Sequence, residues 1–179
     1  MPPVSGGRRW DRHTRDAAAD QAVAALYGAH YHALVRVAAL LVSETTTAGE
    51  DTAAAEEIVQ AAFVSLHHAR RHLGDEDKAL AYLRRAVISG TRSRGMAPAD
   101  LSSLWAGPPP GGWPAPSIPE SLMAALHALP AQQREALVLR YYAEWSEAQI
   151  AAAMGISGRA VTNHVARGMS TLRASRALD

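Results

Sequence analysis

The chain has 179 residues, of which 48% are hydrophobic and 20% are charged, and its formal net charge is +1. This apolar content is enough to build a hydrophobic core, so a disordered chain is excluded. The chain has no cysteine, which excludes a disulfide framework and a thiolate metal site and favours a reducing compartment. A net charge so close to zero does not by itself indicate a nucleic-acid-binding protein.

The N-terminal stretch MPPVSGGRRWDRHTRD carries arginines but has no apolar centre of the kind found in a signal peptide. The longest apolar run, near Ala33 to Val42, is short and contains Arg36, so we expect no membrane insertion. The sequence therefore predicts a disordered arm over residues 1–15 and a soluble, cytoplasmic protein.

Helical patterns dominate the rest of the chain. No segment alternates apolar and polar residues over the length of a strand, and alanine is abundant, so an all-α fold is predicted. Apolar spacing predicts a helix from about Asp16 to Val42 and a second from about Thr52 to Leu73, where Gly74 ends it. A third helix opens with the carboxylates of residues 75–77, which complement the helix dipole. These helices form an N-terminal domain over residues 16–94.

Residues 95–117 interrupt the helical pattern with repeated proline and glycine. Proline has no backbone N–H to donate, and glycine loses more backbone entropy in a helix than other residues do. This segment is predicted to be a flexible linker. Helices resume at Ile118, and Pro130 suits the first turn of the second of them. The fold class is therefore two small helical domains joined by a Pro/Gly-rich linker, the C-terminal one covering residues 118–179.

The stretch from Trp145 to Arg173 has the pattern of a helix-turn-helix. Ser146 and Gln149 form a capping box, Gly155 supplies a left-handed turn position, and Ser157 caps the second helix. One side of that helix is apolar or small and faces the domain. An ordinary helical hairpin with a solvated polar side has the same pattern. If the polar side instead contacts base edges and phosphates, its candidate residues are Arg159, Thr162, Asn163, His164 and Arg167.

Three segments of the chain resemble one known family. They are LPAQQREALVLRYY followed by WSEAQIAAAMGIS (residues 129–157), AEEIVQAAFVSL (55–66) and ALAYLRRAVISGTRSR (79–94). The first is similar to the promoter-recognising domain of the extracytoplasmic-function (ECF) group of bacterial RNA polymerase sigma factors. The second resembles the core-polymerase-binding helix of that family, and the third resembles its promoter-melting helix. The resemblance covers about residues 27–172 in family order.

The resemblance implies a sigma factor that directs core RNA polymerase to specific promoters. Its partners would be core RNA polymerase and promoter DNA, with an anti-sigma factor as a further candidate. Within the N-terminal domain it implies two groups of site residues. Those facing the polymerase would be Glu56, Glu57 and Gln60, and those near the downstream promoter element would be Arg84, Arg85, Ser89 and Arg92. The recognition helix from Arg159 to Arg167 would read the upstream element.

The chain departs from the family pattern at several positions. The family usually has an acidic residue where this chain has Ala61, and Asn-Arg or a similar pair where it has Ser89 and Gly90. It also favours basic residues at the positions of Thr162 and His164. Each replacement removes a charge or a side chain that could contact a base. The departures fit a specialised sigma factor or one whose partner has changed.

Two other classes of protein fit parts of the sequence. GISGRAVTNHVARGMSTL also resembles the output helices of LuxR-type regulators, which would make the protein a polymerase-independent DNA-binding regulator. A sigma-like protein that acts through protein-protein interaction is the other alternative. Catalysis and cofactors are not expected, because the sequence has no phosphate-binding loop, nucleophile elbow or paired carboxylates. His68 and His72 lack a third metal ligand and are better explained as a solvated helix face.

Overall fold

The computed structural model describes residues 7–42, 48–70, 75–93 and 118–175. Within these ranges all regular secondary structure is helical, as the sequence predicts. The predicted linker over residues 95–117 and the predicted stop at Gly74 lie outside the described residues. The helices are α1 (Gly7–Val42), α2 (Ala48–Ala69), α3 (Glu76–Arg92), α4 (Glu120–His127), α5 (Ala131–Leu137), α6 (Glu147–Met154) and α7 (Gly158–Ala174), with a π-helical turn (Val138–Tyr142) continuing α5.

The first two helices differ from the prediction at their ends. Helix α1 begins at Gly7 rather than near Asp16, so residues 7–15, which the sequence assigned to a disordered arm, are helical. No proline interrupts this stretch, and its arginines are good helix formers. Helix α2 begins at Ala48 and ends at Ala69, earlier at both ends than the predicted Thr52 and Leu73.

An aromatic cluster lies between α1 and α2. The ring centroids of Tyr27 and Tyr31 are 4.6 Å apart, and those of Tyr27 and Phe63 are 5.0 Å apart. Tyr31 is 1% exposed, and its burial raises the pKa of its hydroxyl to about 12. That hydroxyl accepts a hydrogen bond from Nε2 of Gln60 at 3.4 Å. Burying the hydroxyl is tolerated because a partner is provided.

The apolar character of α1 is explained by its packing. Over Asp16–Val42 it is the one helix within the described ranges that is long and apolar enough to cross a membrane. Half of its most apolar window is buried inside the protein, where Leu34, Val35 and Ala38 belong to the hydrophobic core. A core helix has this degree of hydropathy without any lipid contact.

Helix α3 begins where the sequence predicts. The carboxylate of Asp75 accepts a hydrogen bond from the backbone N–H of Lys78 at 2.8 Å and so caps the helix. Near the other end, a Cβ placed on Gly90 would lie 2.7 Å from Cγ2 of Ile58 on α2. Glycine therefore allows α2 and α3 to approach closely, and α3 continues past it to Arg92.

The C-terminal helices are joined by short connections. Pro130 lies immediately before α5 rather than inside its first turn, and its carbonyl accepts from the backbone N–H groups of Gln133 and Arg134 at 2.9 and 3.1 Å. Past Leu137 the helix widens into the π-helical turn, where the backbone N–H of Ala143 donates to the carbonyl of Val138 at 3.0 Å. This turn places Val138 and Leu139 in the core.

The N-terminal region (α1–α3) packs against the C-terminal region (α4–α7). Helix α3 contacts α6, while α1 contacts α5 and the π-helical turn. Leu83 of α3 belongs to the same buried core as Leu139 and Ile150 of the C-terminal region. Nη2 of Arg134 donates to the carbonyl of Leu41 at 3.4 Å. The two regions thus share one hydrophobic core within the part of the chain that the structure describes.

Candidate nucleic-acid interface

The first helix of the predicted helix-turn-helix begins with a complete capping box. The hydroxyl of Ser146 accepts from the backbone N–H of Gln149 at 3.2 Å, and the Gln149 side chain accepts from the backbone N–H of Ser146 at 2.9 Å. Both interactions satisfy donors that a helix start would otherwise leave unpaired. Ile150 and Met154 are buried on the inner side of α6, as predicted. The predicted start of this helix is confirmed.

The turn between α6 and α7 has the predicted chemistry. Gly155 adopts the left-handed conformation, with φ 69° and ψ 33°, which costs a glycine little because it has no Cβ. The backbone N–H of Ile156 donates to the carbonyl of Ala151 at 3.1 Å. The hydroxyl of Ser157 then accepts from the backbone N–H of Ala160 at 3.2 Å and caps α7. These local bonds fix the angle at which α7 leaves α6.

Helix α7 has one buried side and one exposed side. Val161, Gly168 and Leu172 are buried, and a Cβ on Gly168 would lie 2.7 Å from Cδ1 of Leu137, so α7 packs closely on α5. The other side is turned to solvent. Of the predicted DNA-binding residues, the structure brings Arg159, Thr162, Asn163 and Arg167 together on this exposed side, with His164 half-buried beside them.

One exposed residue of α7 is bonded to α6. Oγ1 of Thr162 lies 3.0 Å from Oε2 of Glu147 and 3.3 Å from the carbonyl oxygen of Gly158. Glu147 is itself exposed, so its carboxylate lies at the surface beside the recognition helix. Sequence reasoning missed Glu147. Its position in the first turn of α6 gave no signal, because a carboxylate there is already explained by the helix dipole.

Helix α3 carries the residues predicted to contact the downstream promoter element, and the structure divides them. Arg85 and Ser89 are exposed. Arg84 instead lies over the ring of Trp145, with its Cζ 4.9 Å from the ring centroid, and burial lowers the pKa of its guanidinium. A cation above an indole face is attracted by the ring quadrupole. Arg84 is therefore engaged with the C-terminal region.

Arg92 makes a second contact with that region. Its Nε donates to both carboxylate oxygens of Glu135, at 2.9 and 3.2 Å, and its Nη2 donates to Oε2. Its Nη1 donates to the carbonyl of Met154 at 3.3 Å. Glu135 is only 4% exposed, and its hydrogen bonds raise the pKa of Arg92. The four predicted residues of α3 thus do not form one free face in this structure.

Glu135 and Trp145 were not among the predicted site residues. A signal for Glu135 was present, since this carboxylate immediately precedes the apolar run ALVL, residues 136–139. A charge on a buried side of a helix requires a partner. The sequence does not show which arginine would supply that partner, because Arg92 lies on a different helix before the predicted linker.

The residues predicted to face the polymerase lie on α2. Glu57 is exposed, while Glu56 and Gln60 are half-buried. Gln60 also donates a hydrogen bond to Tyr31 on α1, so it contributes to the packing of α2 on α1. Within the described residues no group of three metal-ligating side chains is found. His68 is exposed, and His72 lies outside the described part of the chain.

Helices α6 and α7 have the geometry of a helix-turn-helix with its recognition helix exposed, which defines a class of DNA-binding domain. Residues 120–172 match the family model described as Sigma-70, region 4. This span runs from the start of α4 into the last turn of α7. The C-terminal region is therefore similar to a sigma-70 region 4 domain and has a helix-turn-helix architecture. No curated protein matches the chain.

Proposed function

We propose that the protein is a sigma factor of the ECF group, which binds core RNA polymerase and directs it to specific promoters. The observation that carries this proposal is the exposed side of α7, with Arg159, Asn163 and Arg167, in a region that matches Sigma-70, region 4. Arginine and asparagine side chains make the commonest specific contacts with guanine and adenine in the major groove. The protein would work in the cytoplasm, and an anti-sigma factor is a candidate regulator.

Helix α2 is the proposed contact with core polymerase. It carries Glu57 on an exposed position and Glu56 beside it. Exposed glutamates are ordinary features of a helix surface, so the support for this role comes from the resemblance of residues 55–66 to the polymerase-binding helix. Because Glu56 and Gln60 are half-buried, Glu57 is the best residue for a test that leaves the fold intact.

Helix α3 is the proposed contact with the downstream promoter element. A factor that touches two elements about two DNA turns apart needs two DNA-reading bodies, since each turn spans roughly 34–36 Å. In the structure α3 packs on α6. Arg85 and Ser89 are exposed and can contact DNA without any rearrangement. Arg92 would have to break its hydrogen bonds with Glu135 before it could bind a phosphate. The proposed function therefore includes a separation of α3 from α6.

Reconstitution with core RNA polymerase tests the proposal. The expected result is co-purification with the core enzyme and run-off transcripts from a subset of genomic fragments. Glu57→Lys should abolish co-purification and leave helical circular dichroism unchanged. Glu76→Lys is the matched control, because Glu76 is also exposed and lies outside the proposed contact, and it should co-purify like the unmodified chain.

Other outcomes identify the alternatives. Specific DNA binding without any association with core polymerase would favour a polymerase-independent regulator of the LuxR kind. Association with neither polymerase nor DNA would favour a sigma-like interaction protein. The contacts of Arg84 and Arg92 with the C-terminal region are the observation that supports this last class, since they use two candidate DNA contacts for protein packing.

A further inference from the structure

We propose that Thr162 and Glu147 together make the protein select a base with an exocyclic amine, adenine or cytosine, on one strand at one position of the upstream element. The two side chains form a polar pair at the N-terminal end of α7, which is the end of a recognition helix that contacts base edges. This inference rests on the proposed function, because it requires α7 to enter the major groove of promoter DNA.

The hydrogen bonds of Thr162 determine what its hydroxyl can offer to a base. The two protein atoms near Oγ1 are Oε2 of Glu147 at 3.0 Å and the carbonyl oxygen of Gly158 at 3.3 Å. A carbonyl oxygen and an ionised carboxylate are both acceptors without a proton to give. Thr162 must therefore be the donor to either partner. Its single hydroxyl proton is directed into the protein, and only its lone pairs and methyl group remain for DNA.

Three local features hold the carboxylate of Glu147 beside Thr162. It is the first residue of α6, directly after the capping box formed by Ser146 and Gln149. Its carboxylate lies against the first turn of α7, where a Cβ on Gly158 would be 2.5 Å from Oε1 of Glu147. The absence of a side chain at Gly158 leaves room for the carboxylate, and the N-terminal end of α7 favours its negative charge.

The pair consequently presents acceptors alone. In the major groove, adenine N6 and cytosine N4 are donors, whereas guanine N7 and O6 and thymine O4 are acceptors. An acceptor-only surface can bond to the amine of adenine or cytosine and repels the acceptors of guanine and thymine. Arg159, one turn earlier on the same helix, offers donors alone. We therefore expect neighbouring promoter positions to be read with opposite preferences.

The experiment measures base preference position by position. The full-length chain, free and in complex with core polymerase, is bound to a pool of duplexes in which each position of a selected promoter is varied singly. The unmodified chain should favour adenine or cytosine over guanine or thymine about tenfold on one strand at one position, which is near the lower end of the range for a bidentate base contact.

Two variants remove the effect in different ways. Glu147→Gln replaces a carboxylate oxygen by an amide NH2 group that donates, so the pair no longer presents acceptors alone and the preference should fall to about twofold or less. Thr162→Val keeps the shape and removes the hydroxyl, and should lose the same preference. Thr162→Ser keeps the hydroxyl and should retain it. Glu76→Gln, an equal charge change at an exposed site on α3, should leave all preferences unchanged.

The results separate this inference from the proposed function. If the unmodified chain selects promoter sequences but Glu147→Gln and Thr162→Val keep the full preference at every position, the role of the pair is overturned and the DNA-binding function stands. If neither the free chain nor its polymerase complex binds any duplex selectively, the proposed function fails and the inference fails with it. Loss of one amine preference in both variants supports the inference.

Discussion

Helices α3 and α7 are built alike but their arginines are used differently. Each has 17 residues, an apolar side and several arginines. On α3, Arg84 and Arg92 bind the C-terminal region, whereas on α7 Arg159 and Arg167 are exposed. The helices differ in what lies beside them, since α6 covers part of α3. An arginine-bearing helix face therefore does not by itself distinguish a DNA contact from a contact between domains.

Glu135 accounts for the position of Arg92, one of the two arginines of α3 that contact the C-terminal region. It is the one buried charged side chain among the residues whose burial is described. A buried carboxylate costs several kcal/mol unless it is paired and hydrogen-bonded. Arg92 supplies that pairing from the N-terminal region. The comparison teaches that a carboxylate next to an apolar run indicates that some cation must pack against it, although it does not identify which arginine does so.

Removing Arg92 should have the largest effect on the comparison. Arg92→Ala leaves Glu135 buried without its cation, and we expect a loss of about 2–3 kcal/mol in the free energy of unfolding. This is less than the ~3–5 kcal/mol for breaking a fully buried pair, because solvent screens Arg92, whose side chain is 39% exposed. Urea unfolding measures the loss, and small-angle scattering should report a larger radius if the two regions separate.

Two controls accompany this variant. Arg85→Ala removes an exposed arginine of the same helix and should change stability by less than about 0.5 kcal/mol. Arg92→Ala combined with Glu135→Leu removes both charges and should recover much of the loss. Equal stability of Arg92→Ala and Arg85→Ala would mean that the pair with Glu135 does not hold the two regions together.

The second test concerns the exposed arginines of α7. Arg159 lies in the first turn and Arg167 two turns later, so the first is closer to base edges and the second to backbone phosphates. Arg159→Ala should cost roughly 1–3 kcal/mol on the preferred promoter and less on other sequences. Arg167→Ala should weaken all sequences about equally and reduce the salt slope by about one counterion.

Binding isotherms on promoter and scrambled duplexes at several salt concentrations separate these two effects. Neither substitution should change the urea midpoint, because both side chains are exposed. If both substitutions leave DNA affinity unchanged, the exposed side of α7 is not a DNA contact and the contrast with α3 disappears.

The smallest expected effect is that of Arg84. Arg84→Ala removes a cation from the face of Trp145, and we expect a loss of about 0.5–1 kcal/mol in the free energy of unfolding. Arg84→Lys should retain part of the stabilisation, because an ammonium is also attracted to the indole face. A loss as large as that of Arg92→Ala would show that Arg84 holds the two regions together to an equal degree.

The local features of the site could be predicted from the sequence. The capping box at Ser146, the left-handed Gly155 and the cap at Ser157 each depend on a few neighbouring residues, and all three are confirmed. The buried side of α7 was predictable because helical spacing fixes which residues share a side. The packing of α7 on α5 through Gly168 adds a contact that spacing does not specify.

The arrangement of the two regions could not be predicted in the same way. The bond between Arg92 and Glu135 joins residues 43 positions apart, and no local pattern selects one arginine among several. The early start of α1 at Gly7 was missed because residues 7–15 lack the apolar spacing that marks a core helix. Thr162 was predicted as a base contact, but its bond to Glu147 depends on the angle between α6 and α7.

The contact between Gly90 and Ile58 has an evolutionary consequence. A Cβ at position 90 would lie 2.7 Å from Cγ2 of Ile58, and the β-branched isoleucine has few rotamers with which to move away. The two positions should therefore show epistasis: Gly90→Ala alone is disfavoured, and the same change becomes tolerable once Ile58 is smaller. If an ancestral chain first changed to glycine at position 90 and later acquired Ile58, a return to a larger residue at position 90 would be blocked. Ile58 would first have to be replaced by a smaller residue.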